Sequence, residues 1–218
     1  MTDPDPPPVD EPRPPRRLSV GFVPGVTLTK WRRIWSERFP RIPLDVVEVA
    51  QREQRAAVAG GELDMCFVRL PLDTDDLHVI PLYEEVPVVV VPKDHPISLF
   101  EAVSRADLGD ENVLDDEDTS EAIDLVAGGA GVLLVPHSIA RSHSRRDLVY
   151  REISDAPPTQ IALAWRQDHA NELIEEFIGI VRGRTVNSSR SPRPAPKPDR
   201  PKPTPASRSK PARRRRPR

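Results

Sequence analysis

The chain has 218 residues and a formal net charge of −2 at pH 7, and this small value hides an uneven distribution of charge. Residues 187–218 contain twelve Lys and Arg residues and one acid, so this segment carries +11 and residues 1–186 carry −13. Such asymmetry indicates a polyanionic partner for the basic part and a separate task for the acidic body. No apolar run reaches the roughly 18–20 residues of a membrane span, and the first residues lack the apolar centre of a secretory signal, so we expect a cytoplasmic protein.

Three segments differ in composition. Residues 1–17 form a Pro-rich polar arm, residues 18–186 carry the apolar periodicity of a folded domain, and residues 187–218 contain nine prolines and no large apolar side chain. Arm and tail have nothing to bury, so both are predicted to be disordered. The single cysteine, Cys66, cannot form an internal disulfide and is predicted to be an inert core residue.

The predicted elements of the first half are typical of a parallel α/β sheet. In chain order they are a strand over Leu18–Val23, a helix over Lys30–Phe39, a strand over Leu44–Val49, a helix over Gln51–Ala59 and a strand over Asp64–Leu70. Thr27 or Thr29 is expected to cap the first helix. Ligands of such sheets bind beyond the carboxyl ends of the strands, where Arg69 also lies, so the two threonines and Arg69 are candidates for holding a carboxylate.

The second half alternates short strands and helices. The predicted strands are Leu77–Leu82, Val86–Pro92, Val132–Val135, Leu148–Ile153 and Ile161–Trp165. The predicted helices are Thr119–Ala127, with Thr119 or Ser120 as its cap, then Pro136–Arg141 and Asn171–Arg184.

Five motifs in this order resemble the effector-binding (substrate-binding) domain of LysR-type transcriptional regulators. They are Leu18–Pro24, Gly61–Arg69, Pro81–Glu85, Val88–Pro96 and Leu125–Ser138. The resemblance implies a type 2 periplasmic-binding-protein fold, with two α/β lobes joined by the crossing strands Val86–Pro92 and Ile161–Trp165. Lobe I would comprise about 18–86 and 166–186, and lobe II about 93–160.

The resemblance also implies a binding role. Family members commonly hold a small carboxylate or amino acid between the lobes and pair as antiparallel dimers. The corresponding ligand-binding positions, together with Thr29, are Val26, Thr27, Gln51, Arg69, Pro136 and Ser138.

Two departures from the family pattern change these expectations. Seventeen Pro-rich residues stand where the family has its operator-reading winged helix-turn-helix, which predicts a stand-alone form of the domain. The stretch between Val113 and Thr119 is shorter than in the family, which predicts a reduced second lobe. The acids of Asp115–Asp118 would repel an anionic ligand there.

Catalytic and metal-binding readings are weak. His137, Ser138, His143 and Asp124 suggest a hydrolase or metal site, but the two histidines lie six apart and no Gly-x-Ser-x-Gly turn presents a nucleophile. We therefore expect no enzyme activity, cofactor or metal.

The tail has no aromatic side chain to stack on bases, so any contact with nucleic acid would be independent of sequence. Its candidate contacts are Arg208, Lys210, Arg213, Arg214, Arg215, Arg216 and Arg218. A solvated tail, or one that docks on the acidic body, is the alternative. The favoured function is a regulatory module that senses a small, anionic metabolite and contacts nucleic acid through the tail. The alternative function is an interaction protein that pairs with itself or with a full-length LysR-type regulator and binds no effector.

Overall fold

The computed structural model describes residues 16–115, 118–169 and 171–183. Its contacts divide the chain into two units, Met1–Arg184 and Thr185–Arg218, and all the described residues belong to the first unit. The predicted disorder of residues 1–15 and of the tail, the tail's candidate contacts, and Asp116 and Glu117 all lie outside the described residues.

The first sheet has five strands in the order β2-β1-β3-β9-β4. Its strands are β1 (Leu18–Phe22), β2 (Leu44–Glu48), β3 (Met65–Leu70), β4 (Leu77–Glu85) and β9 (Thr159–Arg166). β1 pairs in parallel with β2 and β3, as predicted, whereas β9 runs antiparallel between β3 and β4. The helices α1 (Thr29–Arg38) and α2 (Gln54–Ala59) connect the parallel strands, and a short 3₁₀ turn, Gln51–Glu53, precedes α2.

An aromatic cluster fills the core of this sheet. Trp31 stacks on Phe67 with ring centroids 4.7 Å apart, and Phe177 meets Trp35 and Phe67 edge-on at 5.8 and 6.2 Å. Phe177 belongs to the last helix, α5 (Glu172–Val181), whose apolar face packs onto the first sheet. Because offset and edge-on ring contacts add to the burial of large apolar area, this cluster fixes α1 and α5 on the sheet.

The second sheet has four strands in the order β6-β8-β5-β7. These are β5 (Pro87–Pro92), β6 (Ala102–Val103), β7 (Leu133–Pro136) and β8 (Leu148–Ile153), with α3 (Thr119–Ala127) and α4 (His137–Ser142) on one face. The run Val88–Val91 is buried on both faces, which explains its continuous apolar character.

The chain crosses between the sheets twice. β4 of the first sheet leads through Val86 into β5 of the second, and residues 154–158 lead from β8 back to β9. The two predicted crossing segments therefore lie at the junction of two α/β lobes. We call the first sheet with its helices lobe I and the second lobe II.

The sequence predicts a reduced second lobe between Val113 and Thr119, and this stays a prediction. Between Val113 and Thr119 the described residues form one parallel bridge, Val113 to Val132, in which Leu114 N–H donates to the Val132 carbonyl at 2.9 Å. This bridge stands beside β7, at the edge of the second sheet. Val113 is left about half exposed as a result.

The predicted helix caps are wrong in both cases. Within the described part of the chain no side chain caps α1, which begins after Leu28, and Thr27 and Thr29 are both exposed. Asp118 caps α3 instead of Thr119 or Ser120, because its carboxylate accepts from the N–H groups of Ser120 and Glu121 at 3.0 and 3.1 Å. An Asp one residue earlier reaches the free N–H groups of the first turn, whereas the two hydroxyl residues lie inside that turn.

The described part of the chain contains no helix that is long and apolar enough to cross a membrane.

Cys66 is fully buried in β3, and burial raises the pKa of its thiol to about 12. Since the thiolate is the reactive form, we expect the native protein to resist thiol reagents at mildly alkaline pH and to react once guanidinium chloride unfolds it. Thiol titration of the native and unfolded protein tests this, with a Thr27→Cys variant as the exposed control. Labelling of Cys66 in the native protein as fast as that of the control would contradict a closed lobe I core.

Candidate functional site

Arg69 stands at the carboxyl end of β3, where the sequence predicts a guanidinium that holds a ligand carboxylate, but the structure shows it buried and bonded within the chain. It is 2% exposed. Its Nε donates to Glu85 Oε2 at 2.7 Å, and its two terminal nitrogens donate to Gln51 Oε1 at 2.7 Å and to the Pro24 carbonyl at 2.9 Å. The carboxylate that Arg69 holds is therefore one of the chain's own.

A bulge in β4 brings Glu85 to Arg69. The two residues lie on strands separated by β9, where Arg69 is opposite Ile161 and Glu85 is opposite Thr159. The register between β4 and β9 shifts between Pro81 and Tyr83, which adds one residue to β4. Without this shift Glu84 would stand opposite Thr159. Because side chains alternate between the two faces of a sheet, Glu85 would then point away from Arg69. The bulge thus places Glu85 on the Arg69 face and leaves Glu84 exposed.

The buried amide of Gln54 fixes the backbone at Arg69. Its Oε1 accepts from Arg69 N–H at 2.8 Å, and its Nε2 donates to the Arg69 carbonyl at 3.0 Å. Gln54 opens α2, so the helix and the strand end are held at one point. This support restricts the guanidinium to the arrangement just described.

Lobe II reaches the same carboxylate. Ser138, in the first turn of α4, donates its hydroxyl to Glu85 Oε1. On the lobe I side, Thr159 Oγ1 lies 3.5 Å from Oε2. Gly25, in the turn after β1, packs directly against the Ser138 side chain, and its φ of 90° further restricts this position to glycine. The lobes therefore meet at Glu85 through Arg69 on one side and Ser138 on the other.

The other predicted ligand-binding residues lie around this contact in different environments. Val26 is buried in the lobe I core, with its N–H donating to the Val23 carbonyl at 3.2 Å. Thr27, Thr29 and Gln51 are exposed, and Pro136 ends β7 as a buried residue. The start of α1, which has no side-chain cap from the described residues, lies beside the exposed Thr27 and Thr29.

The residues that suggested a hydrolase or metal site have separate partners. Ser138 binds Glu85, Asp124 pairs with Arg145 at 2.5 Å, and His143 Nδ1 lies 3.1 Å from the Ile139 carbonyl. His137 packs against Tyr150. Within the described residues, no group of three or more His, Cys, Asp or Glu side chains is placed to hold a metal.

Sequence reasoning missed Glu85 and Gly25. Glu85 belongs to a motif that carries the family resemblance, but two adjacent acids on one strand give no signal of which one turns inward. The signal for Gly25 was the Pro24-Gly25 turn, which indicates a change of direction and not a contact with the other lobe.

The sequence profile of the LysR substrate binding domain matches residues 12–121 and 117–185. Among curated relatives, the chain is 24% identical over 202 residues to the Hca operon transcriptional activator HcaR of Escherichia coli, a match covering 78% of this chain and 68% of that protein. It is 28% identical over 183 residues to a probable hydrogen peroxide-inducible genes activator of Streptomyces viridosporus, covering 68% of this chain and 59% of the relative. The chain thus spans roughly three fifths to two thirds of the length of these regulators.

Solved structures show the same architecture. A mutant of the OxyR regulatory domain from Pseudomonas aeruginosa superposes with a TM-score of 0.64 at 24% identity, covering 76% of this chain and 96% of that one. A full-length BenM mutant superposes with a TM-score of 0.68 at 22% identity, covering 79% and 68% of the two chains. These matches confirm the predicted type 2 periplasmic-binding-protein fold. The chain belongs to the LysR substrate-binding domain family.

Removing one partner of the buried ion pair should leave an unpaired charge. We expect Glu85→Gln to lower the free energy of unfolding by about 3–5 kcal/mol, and replacement of both partners by Met to restore most of it. Chemical denaturation measures the free energy of unfolding. The matched control is Glu84→Gln, which changes the exposed neighbour and should stay within about 0.5 kcal/mol of the wild type. Equal stability of the Glu85→Gln and Glu84→Gln variants would show that the pair does not hold the site together.

Proposed function

We propose that this domain is a non-enzymatic regulatory module linked to transcription, whose responsive element is the contact between its lobes. The observation that carries the proposal is that Arg69 of lobe I and Ser138 of lobe II bind one carboxylate. A group that both lobes hold is one whose replacement changes how the lobes meet. A cytoplasmic location is expected for this role and stays a prediction.

A small anionic molecule fits the chemistry of this contact. A guanidinium and a hydroxyl that already hold the Glu85 carboxylate offer suitable donors for a ligand carboxylate. The uncapped N-terminus of α1 lies beyond the same edge of the sheet, with Thr27 and Thr29 exposed and no acid in the first turn of the helix. Free N–H groups and the helix dipole favour an anion at that point.

Because Glu85 already binds Arg69 and Ser138, an effector has to compete with it for these donors. An anion that enters must displace Glu85 from Arg69 or bind beside the neutral pair, and either event costs desolvation. The effector would therefore alter the lobes by competing with Glu85 for Ser138 and Arg69. A ligand that only filled space would leave the lobe contact unchanged, since it would gain nothing from one arrangement over the other.

The basic tail supplies the proposed contact with nucleic acid. Its charge, with twelve Lys and Arg residues against one acid, is that of a segment that binds the phosphate backbone. Such binding would hold the acidic domain near nucleic acid without reading its sequence. The predicted contacts are the tail cations named above.

Pairing without an effector is the second candidate, and surface charge favours it. α1 exposes Lys30, Arg32 and Arg33, the last paired with Glu37, whereas α3 exposes Glu121 and Asp124, the latter paired with Arg145. An exposed apolar side chain, Leu125, lies beside the two acids on α3. Two copies in antiparallel arrangement would bring the basic face of one against the acidic face of the other. The self-satisfied Arg69–Glu85 pair is also consistent with a domain that needs no ligand.

A carboxylate effector should stabilise the full chain in a way that depends on the lobe contact. At 100-fold excess over its dissociation constant, we expect about 2.7 kcal/mol of stabilisation in a thermal-shift screen of small carboxylates and amino acids. Thr27→Val and Ser138→Ala should each abolish it, while the distant change Thr74→Val leaves it intact.

A ligand response retained by both variants would remove the proposed site. No response from the wild type, combined with a dimer that Arg32→Glu and Arg33→Glu dissociate, would favour the pairing function.

Charge removal in the tail should weaken binding to a random-sequence duplex. We expect the full chain with Arg213, Arg214, Arg215 and Arg216 changed to Gln to bind more weakly and to flatten the slope of log K against log salt by up to about 3–4. Fluorescence anisotropy at several salt concentrations measures this, and Arg145→Gln in the folded domain is the single-charge control. Equal slopes for the wild type and the tail variant would show that the tail is not the nucleic-acid contact.

A further inference from the structure

A basic groove of about 600 Å³ lies in lobe I between α1, the turn that follows it and the start of β2. Three arginines line this groove, Arg32, Arg33 and Arg41, and no carboxylate is among its lining residues. Residues 29–44 contain five Lys and Arg residues and one acid, so this stretch carries +4 within a body that carries −13. Such a local excess of positive charge favours an anionic occupant.

The charged groups of the groove are accessible from outside. All three arginines are exposed. Arg33 Nη1 lies 2.7 Å from Glu37 Oε1, one helical turn further on, whereas Arg32 and Arg41 form no salt bridge within the described part of the chain. Two exposed guanidinium groups are therefore available to carboxylates that approach α1 from its solvent side.

The turn after α1 gives the groove a fixed apolar wall. Trp35 donates its indole N–H to the Ile42 carbonyl at 2.9 Å, and its own carbonyl accepts from Phe39 N–H at 2.8 Å. Phe39 and Ile42 are partly buried, while Pro40 and Pro43 are exposed, and all four line the groove. Because extended Pro-rich segments bind in grooves with aromatic walls, this surface suits a segment that contains both prolines and acids.

The N-terminal arm of this chain has that composition. Residues 1–15, which lie outside the described residues, contain seven prolines and four acids against one arginine, so their side chains carry −3. The basic tail has the wrong sign of charge for the same groove. Proline also fixes the backbone φ angle in advance, so a Pro-rich segment loses less conformational freedom when it binds.

The arm joins the folded domain at the edge of the groove. Leu18, the first residue of β1, stands opposite Leu44, and its N–H donates to the Pro43 carbonyl at 3.1 Å. Pro43 and Leu44 both line the groove. An extended Pro-rich chain rises ~3.1 Å per residue, so residues 1–15 reach about 45 Å, whereas the ten residues of α1 span about 15 Å. The arm is therefore long enough to reach every part of the groove.

We infer that the acidic, Pro-rich arm over residues 1–15 binds in this groove of its own domain. Asp10 and Glu11, the acids nearest to β1 in the sequence, pair with Arg32 and Arg41, and the neighbouring prolines pack on the apolar wall. Attachment beside the groove raises the effective concentration of the arm there, so weak individual contacts suffice. Arg16 pairs with Glu172 through exposed side chains, and such a pair is too weak to hold the arm elsewhere.

Neither proposed function requires this contact, but the pairing function would be affected by it. Arg32 and Arg33 belong to the basic face that would meet α3 of a second copy. An arm that occupies these cations competes with the acidic face of the partner, so the contact would oppose pairing.

Nuclear magnetic resonance of the full chain tests the contact. We expect Arg32→Gln combined with Arg41→Gln to move the amide resonances over 9–11 to their positions in a free peptide of the arm. The matched control, Arg141→Gln combined with Arg146→Gln, removes two exposed arginines of lobe II and should leave the arm resonances unchanged. Salt at about 1 M, where the Debye length is only about 3 Å, should release the arm as the groove variant does.

The converse change lies in the arm. Asp10→Asn combined with Glu11→Gln should shift the amide resonances over 32–41. Asp94→Asn combined with Glu101→Gln removes two exposed acids of lobe II and should leave those resonances in place. The arm resonances of the wild type should not change on dilution, since the contact lies within one chain.

Arm resonances of the wild type that already match the free peptide would overturn the proposal, as would equal shifts from the groove variant and its control. If the groove amides respond to dilution and ignore the arm variant, a second copy occupies the groove and the assignment to the arm is wrong. The same holds for the phosphate backbone if these amides respond only to an added DNA duplex. The arm variant changes no residue of the folded domain, so it remains decisive even if the double arginine variant fails to fold.

Discussion

The buried ion pair between Arg69 and Glu85 is the constraint on which the arrangement of this domain depends. A charge at 2% exposure is tolerated only when it is paired and fully hydrogen-bonded, and Arg69 meets that condition through three elements of lobe I. Glu85 then extends the network to Ser138, so the relation of the two lobes is tied to a group inside lobe I. The domain holds in its own chain the kind of group that we propose its effector presents.

The start of α4 carries the contact of lobe II with lobe I. Ser138 in its first turn binds Glu85, whereas the segment after Val113 contributes one bridge at the edge of the second sheet. Gly25 meets Ser138 too closely to admit a side chain, so this contact leaves no gap at that point. The first two residues of α4 have different neighbours, since Ser138 binds Glu85 and the ring of His137 packs against Tyr150.

Much of the fold could be predicted from the sequence, because its strands and helices are strongly patterned and the five motifs follow a family order. The buried run Val88–Val91 and the aromatic spacing of α1 are examples in which local pattern and tertiary packing agree. The site was harder to predict. Arg69 was found from its place at the end of β3, but its partner depends on a one-residue bulge that decides between Glu84 and Glu85. The predicted cap of α3 was wrong for a similar reason, since Asp118 competes with the two hydroxyl residues next to it. Neither the bulge in β4 nor the choice of Asp118 as a cap is visible as a periodic pattern in the sequence.

The distance between the lobes in the free, full-length protein tests most directly whether Glu85 holds them together. Spin labels on cysteines placed at the exposed positions Arg41 in lobe I and Asp110 in lobe II would report it, since buried Cys66 should stay unlabelled. We expect one narrow distance distribution in the wild type and in Glu84→Ala, and a broader one in Glu85→Ala and Ser138→Ala. A broad distribution in the wild type, or the same narrow one in all four proteins, would contradict a lobe contact built on Glu85.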